Sequence, residues 1–137
     1  MRFGPRIRIG LGWTYLPIFF ADAEIPRWRA IEVIVTAGKD EKFVVAGGAV
    51  QAKTTGSNRW QDIGDLERWL RLPAEVPRNR ARAFTISGKT VGEEIRRRFS
   101  SVSSLELRVI VHDHHRTRVV SDPIEVDLNE LEREELL

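Results

Sequence analysis

The sequence contains no cysteine among its 137 residues. That absence excludes disulfide bonds, thiolate nucleophiles and cysteine-based zinc or iron–sulfur sites together. It leaves the cellular compartment open. Long apolar runs are missing as well: the stretch "IGLGWTYLPIFF" spans about 12 residues, and a membrane-spanning helix needs about 20.

A strong charge of one sign is also missing. The formal net charge is +2, which is too weak a field to indicate a nucleic-acid partner by itself. Hydrophobic residues make up 42% of the chain and charged residues 31%, a balance typical of soluble globular proteins. The length suits one domain with one hydrophobic core, and no repeat divides it.

The N-terminus has the order of a signal peptide: a basic start, an apolar stretch and then small residues. Its content fits that role poorly, because Gly10, Gly12 and Pro17 interrupt the apolar stretch. We therefore interpret residues 1–25 as an extended arm or an edge strand that packs on the domain. A cytoplasmic protein is favoured, and secretion stays open as the alternative.

Period-two alternation marks the central strands. Ile31, Val33 and Val35 share one side of "IEVIVTA", with Glu32 on the other side. The run "KFVVAGGAVQAKT" continues in phase up to a glycine pair that predicts a kink or bulge. The run "LELRVIV" alternates most clearly, and "DPIEVDL" closes the series.

The helical signal is limited to one segment. In "TVGEEIRRRF", Thr90 and Glu93 have the spacing of a capping box, which predicts one short helix over residues 91–98. The stretch "WQDIGDLERWLRLP" mixes helical and strand spacing. Many strands with one helix exclude a parallel crossover sheet and predict an antiparallel immunoglobulin-like β-sandwich of about seven strands. We expect an arm at 1–25, the sandwich at 26–130 and an acidic tail at 131–137.

All three histidines lie in the stretch "VIVHDHHRTRVV". This cluster suggests a metal or catalytic site, yet it falls between two strand-like runs. A hairpin turn is the simpler interpretation, because aspartate and polar residues bond their own backbone in turns. Three neighbouring side chains on a tight turn do not converge as zinc ligands do. We expect no metal and no cofactor.

The hairpin segment "DHHRTRVVSDP" resembles the last hairpin of small, uncharacterised bacterial proteins, frequent in actinobacteria, that have an immunoglobulin-like sandwich. Asp113, Arg116, Thr117, Ser121 and Pro123 carry the resemblance. Arg116 stands where those proteins have a turn glycine. The resemblance covers approximately residues 29–128 and implies a fold without an activity.

Arginines and aromatics are the remaining candidates for a function. If Arg78, Arg80 and Arg82 lie on one strand, they line one face with the spacing of phosphates. A nucleic-acid-binding module that uses the basic region 78–98 is therefore the alternative function. Trp60 and Trp69 fall in patterned stretches that indicate core positions, and Trp13 and Trp28 flank the arm, where they either cover the core or stay exposed as anchors.

Nucleophile and phosphate-loop patterns are absent from the sequence, and nothing marks the carboxylate pairs Asp62 with Asp65 or Glu93 with Glu94 as a site, so we expect no enzyme. The apolar arm needs a host surface, which is the domain itself, a second copy or another protein. We therefore predict a non-catalytic interaction or assembly module. The candidate contact residues are Trp13, Tyr15, Phe19, Phe20, Arg78, Arg80 and Arg82.

Overall fold

The computed structural model describes residues 4–18, 23–99 and 102–131, with the backbone alone for residues 14–18 and 23–26. Ten strands lie in this part of the chain. They are β1 (Arg6–Ile18), β2 (Ala23–Thr36), β3 (Phe43–Val45), β4 (Gly47–Thr54), β5 (Gln61–Asp65), β6 (Ala74–Val76), β7 (Ala81–Ser87), β8 (Ser104–His112), β9 (Arg118–Val120) and β10 (Ile124–Asp127). The helices are α1 (Leu66–Trp69), a single turn, and α2 (Gly88–Arg98).

Two main antiparallel sheets organise the chain. The first has the strand order β1-β2-β7, and the second has the order β10-β8-β4-β5, with β9 also paired to β8. Strands β3 and β6 form a separate pair. The prediction of a mostly β chain with antiparallel strands and one short helix is confirmed, although the described residues form ten strands and not about seven.

The core follows the alternation that the sequence shows. Ile31, Val33 and Val35 on β2 are buried, and so are alternate residues of β8 from Leu105 to Val111. The buried side chains of both main sheets belong to one hydrophobic cluster. Period-two patterning therefore identified the inward faces of the central strands correctly.

The chain breaks between β3 and β4 at Ala46, directly before the glycine pair where a kink or bulge was predicted, and the two strands belong to different sheets. β3 ends at Val45, and the Ala46 N–H donates to the His112 carbonyl as the chain enters β4. A Cβ atom on Gly48 would lie 2.0 Å from the carbonyl oxygen of Ile110. Glycine at position 48 therefore lets β4 approach β8 more closely than any side chain permits.

Helix α2 begins earlier than the capping-box spacing predicts. Its first residue is Gly88, so Thr90 and Glu93 lie inside the helix and do not form a cap. A Cβ atom on Gly88 would lie 2.8 Å from the backbone of Arg29, so a glycine is needed where the helix starts against β2. Packing against the sheet fixes the start in place of the expected cap.

The stretch "WQDIGDLERWLRLP", which mixes helical and strand spacing, contains the strand β5 followed by the single helical turn α1. Trp69 packs against the core cluster, as predicted. Trp60 does not join the cluster, so its prediction as a core residue is wrong. Its ring instead lies beneath the Arg108 guanidinium, 4.3 Å from the ring centroid, where the cation covers the aromatic face.

No helix in the described ranges is long and apolar enough to cross a membrane.

Candidate interaction surface

The first two strands form a hairpin that is longer than the sheet supporting it. β1 and β2 pair from Arg6 opposite Thr36 to Ile18 opposite Ala23. β7 pairs with β2 only over residues 30–36. The hairpin therefore continues past the third strand as two strands, which we call the distal ribbon and define as residues 13–18 and 23–27.

The base of the hairpin is part of the fold. Ile7 and Ile9 are each only 9% exposed and belong to the hydrophobic core. Residue 26, the expected first residue of the domain, lies inside β2. At the other end of the chain, Leu131 is 2% exposed, and residues 132–137 of the expected acidic tail lie outside the described residues.

Two tryptophans stand opposite each other where the ribbon begins. The ladder shifts register between Gly12 and Trp13, as in a β-bulge. Trp13 is 44% exposed, whereas Trp28 is fully buried and its indole N–H donates to the Asp127 carbonyl at 2.9 Å. The backbone of Trp28 also forms an isolated parallel β-bridge with Leu131. Trp28 thus anchors the hairpin, and Trp13 is its exposed aromatic side chain.

The other aromatic candidates of the arm are placed less completely. Tyr15 lies on β1 opposite Pro26, within the distal ribbon. Phe19 and Phe20 fall outside the described residues. The sequence of the ribbon strands, "WTYLPI" and "AEIPR", carries five large apolar residues besides its prolines, namely Trp13, Tyr15, Leu16, Ile18 and Ile25.

The three predicted arginines do not form one row on a strand. Arg78 lies in a turn, and Arg80 precedes β7, with its carbonyl accepting the Ala37 N–H. Only Arg82 is on β7. Its guanidinium lies 5.4 Å from the centroid of the Phe84 ring and donates to the Glu75 carbonyl. The predicted alignment is wrong because the strand begins three residues later than Arg78.

The arginines in the second half of the basic region lie in the last turn of helix α2, which follows β7. Arg97 and Arg98 both pair with Glu94 within α2. The hydrogen bond from Arg97, aided by the charge of both arginines, lowers the pKa of the Glu94 carboxyl. The charges of Arg97 and Arg98 are therefore partly offset by an acid of their own helix.

The histidine cluster is the tip of the β8–β9 hairpin, as predicted. One carboxylate oxygen of Asp113 accepts the backbone N–H groups of His115 and Thr117, at 2.9 and 2.8 Å. Within the described ranges, no group of three or more histidine, aspartate or glutamate side chains is placed to hold a metal ion. The expectation that the protein binds no metal stays a prediction.

Arg116 occupies the turn position where the resemblance implies glycine, and its φ is +65°. Because a side chain is strained in this left-handed region, we expect Arg116→Gly to raise the free energy of unfolding by about 0.5–1 kcal/mol. His115→Gly is the matched control and should lower it by about 0.5–1 kcal/mol, since position 115 has no positive φ. Urea unfolding measures both. A loss of stability in Arg116→Gly would contradict this account of the turn.

Comparison with known proteins adds information on the fold alone. The chain is similar to a structure titled as the X-ray structure of Northeast Structural Genomics Consortium target SoR45, with a TM-score of 0.52 and 8% sequence identity. The similarity covers 98% of this chain and 90% of that chain. No family model matches the sequence, and no curated protein matches it. The resemblance to small actinobacterial-type proteins stays a prediction.

Proposed function

We propose that this chain is a non-catalytic protein-interaction module whose distal ribbon makes the contact. The observation that carries the proposal is the end of β7 pairing at residue 30 of β2, while the hairpin continues to residues 18 and 23. The base of the hairpin has a structural role in the core, and the ribbon continues beyond the strand that supports this base. Trp13 at the start of the ribbon is 44% exposed, and a contiguous exposed apolar patch is an association site or an aggregation hazard.

Strand pairing is the mode of contact that this geometry favours. β1 is the end strand of its sheet, and β2 occupies one of its two edges. A partner strand that pairs with the other edge satisfies backbone N–H and C=O groups, and pockets for the aromatic side chains add specificity. The partner is a protein surface, and a second copy of this chain is the first case to test.

We do not extend the proposal to nucleic acid. That alternative relies on Arg78, Arg80 and Arg82 lining one face of a strand, and of these three only Arg82 lies on β7. Two of the arginines on α2 are also paired with Glu94. RNA or DNA binding that weakens steeply with added salt, and that Arg80→Ala also weakens, would favour the nucleic-acid alternative instead.

The finer description of the fold is also part of the proposal. We infer that the two main sheets are the layers of an immunoglobulin-like β-sandwich. The shared hydrophobic cluster and the antiparallel pairing support this inference.

Two equally exposed side chains provide the test of the ribbon. Trp13 and Val120 are both 44% exposed, and only Trp13 belongs to the ribbon. In sedimentation equilibrium, we expect the full chain to self-associate and Trp13→Ser to weaken that association about 30-fold, the effect of losing a contact of about 2 kcal/mol. Val120→Ser should associate like the unaltered chain.

Two results would contradict the proposal. One is a full chain that stays monomeric at every concentration and binds no other protein through Trp13. The other is equal weakening by both substitutions, which would show that exposed apolar area in general, and not the ribbon, drives association.

A further inference from the structure

A groove of about 760 Å³ lies between the first strand of one main sheet and the last hairpin of the other. One wall is the N-terminal end of β1, with the residues just before it, and the other is β9 with its flanking residues. The lining residues are Gly4, Pro5, Arg6, Ile7, Thr117, Arg118, Val119, Val120 and Asp122. This groove is at the end of β1 opposite the distal ribbon, so it is a separate surface.

Both walls are strand edges with an open side. β1 is the end strand of the order β1-β2-β7, and among the described residues its ladder partner is β2. β9 pairs with the last residues of β8, and the described part of the chain gives it no other ladder partner. Each strand therefore carries backbone N–H and C=O groups on its second edge that no ladder within the described ranges uses.

The lining is apolar between the walls and basic along them. Val119 packs partly against the core, and Val120 is one of the two most exposed large hydrophobic residues described. Arg6 and Arg118 are exposed, one on each wall, and Asp122 is the single acid in the lining. An occupant that presents apolar groups inward and carboxylates toward the arginines matches this distribution.

We propose that this groove binds an extended acidic segment of a partner protein as an added β-strand. A strand alternates its side chains between two sides, so it places apolar residues on the side of Ile7 and Val119 and carboxylates on the side of Arg6 and Arg118. Its backbone bonds to the open edge of one of the two walls. The lining residues described include no aromatic side chain, and base stacking needs one, so the groove suits a peptide better than single-stranded nucleic acid.

The proposal does not depend on the function of the distal ribbon. The ribbon consists of two strands that continue beyond the pairing with β7, whereas the groove consists of two strand edges and two arginines. A chain carrying Trp13→Ser should therefore bind a groove peptide as the unaltered chain does. Failure of one proposal leaves the other intact.

A designed peptide serves as the probe. It has eight residues that alternate valine and glutamate, with both ends blocked, and its binding is followed through the backbone amide signals of the isotope-labelled full chain. We expect saturable shifts at Ile7 and Val119. A peptide that alternates valine and lysine should bind about tenfold more weakly, since repulsion replaces attraction at both exposed arginines.

The matched variants reverse one charge inside and one outside the groove. Arg118→Glu should weaken binding of the valine–glutamate peptide about tenfold, because an attraction becomes a repulsion at an exposed position. Arg59→Glu is the control, since Arg59 is exposed in the turn after β4, near the end of its sheet opposite the β8–β9 hairpin. It should bind as the unaltered chain does. N-methylation of alternate peptide nitrogens should abolish binding if strand pairing is the mode.

Each of the following results would contradict the proposal. Absence of shifts at Ile7 and Val119 would show that the peptide does not bind in the groove. Equal affinity for the lysine peptide would show that the groove does not prefer an acidic segment. Unchanged binding of the methylated peptide would show that the peptide does not bind as an added β-strand. Stronger shifts at the same amides with an eight-nucleotide single-stranded RNA would assign the groove to nucleic acid, and dissociation of a self-assembled oligomer by Val120→Ser would assign it to a second copy.

Discussion

A chain that begins at Pro26 is expected to lose its folded structure. Removing the first 25 residues removes all of β1 and the first residues of β2. Ile7 and Ile9 leave the core, and burying each such side chain contributes roughly 1.5–3 kcal/mol. β2 also loses a partner along its whole length. The total approaches the 5–15 kcal/mol by which a whole domain is usually stable.

Thermal unfolding followed by circular dichroism measures this effect. The full chain should unfold in one cooperative transition, and the shortened chain should show no such transition at any temperature. Cooperative unfolding of the shortened chain near the midpoint of the full chain would show that residues 1–25 are an appended arm. In that case the hairpin base would have no structural role.

Trp28→Ala should produce the largest loss of stability among single substitutions of the tryptophans. The side chain is fully buried and its indole N–H is bonded to the Asp127 carbonyl, close to the C-terminal end of the described chain. Replacing a buried tryptophan by alanine typically costs about 3–5 kcal/mol. The substitution also removes the side-chain hydrogen bond that ties the hairpin to the chain at Asp127.

Two further variants separate packing from hydrogen bonding. Trp28→Phe keeps an aromatic ring but leaves the Asp127 carbonyl without its donor, so we expect a loss of about 1–3 kcal/mol. Trp13→Ala changes a side chain that is 44% exposed and should cost about 1 kcal/mol or less. Urea unfolding gives the three values. If Trp28→Ala costs no more than Trp13→Ala, Trp28 is not the anchor.

The central strands could be predicted from the sequence because local alternation and burial agree there. Ile31, Val33 and Val35 alternate with more exposed residues and are buried as their phase requires. The β8–β9 hairpin was predictable for a similar reason, since Asp113 bonds the backbone of its own turn. In both places the deciding interactions are local or lie within one strand.

Other features depend on contacts between distant segments, which alternation does not reveal. Trp28 is out of phase with Ile31 and Val33, and it is buried because the C-terminal segment reaches it. Helix α2 starts at Gly88 because the backbone of Arg29 lies against it. The predicted capping box is overridden by this packing, as tertiary contacts often override local signals.

The candidate surfaces were only partly visible in the sequence. The apolar composition of the arm pointed to the ribbon, but the length of the supported hairpin depends on where β7 stops pairing. The groove beside β9 had no sequence signal, because Arg6 and Arg118 are far apart in the chain and meet only through the arrangement of two sheets. The edges of β1 and β9 lie beside each other because of the fold, and no sequence motif marks them.

The most direct test of the account removes most of the distal ribbon, residues 15–18 and 23–26, and keeps the hairpin base. Thr14 and Arg27 are opposite each other in the ladder, so residues 15–26 can be replaced by Asn-Gly, a two-residue turn suited to a hairpin. The account predicts that this chain unfolds cooperatively within about 5 °C of the full chain, a difference of about 1 kcal/mol, and no longer self-associates. A chain that fails to fold, or that folds and associates as strongly as before, would contradict the assignment of structure to the base and of interaction to the ribbon.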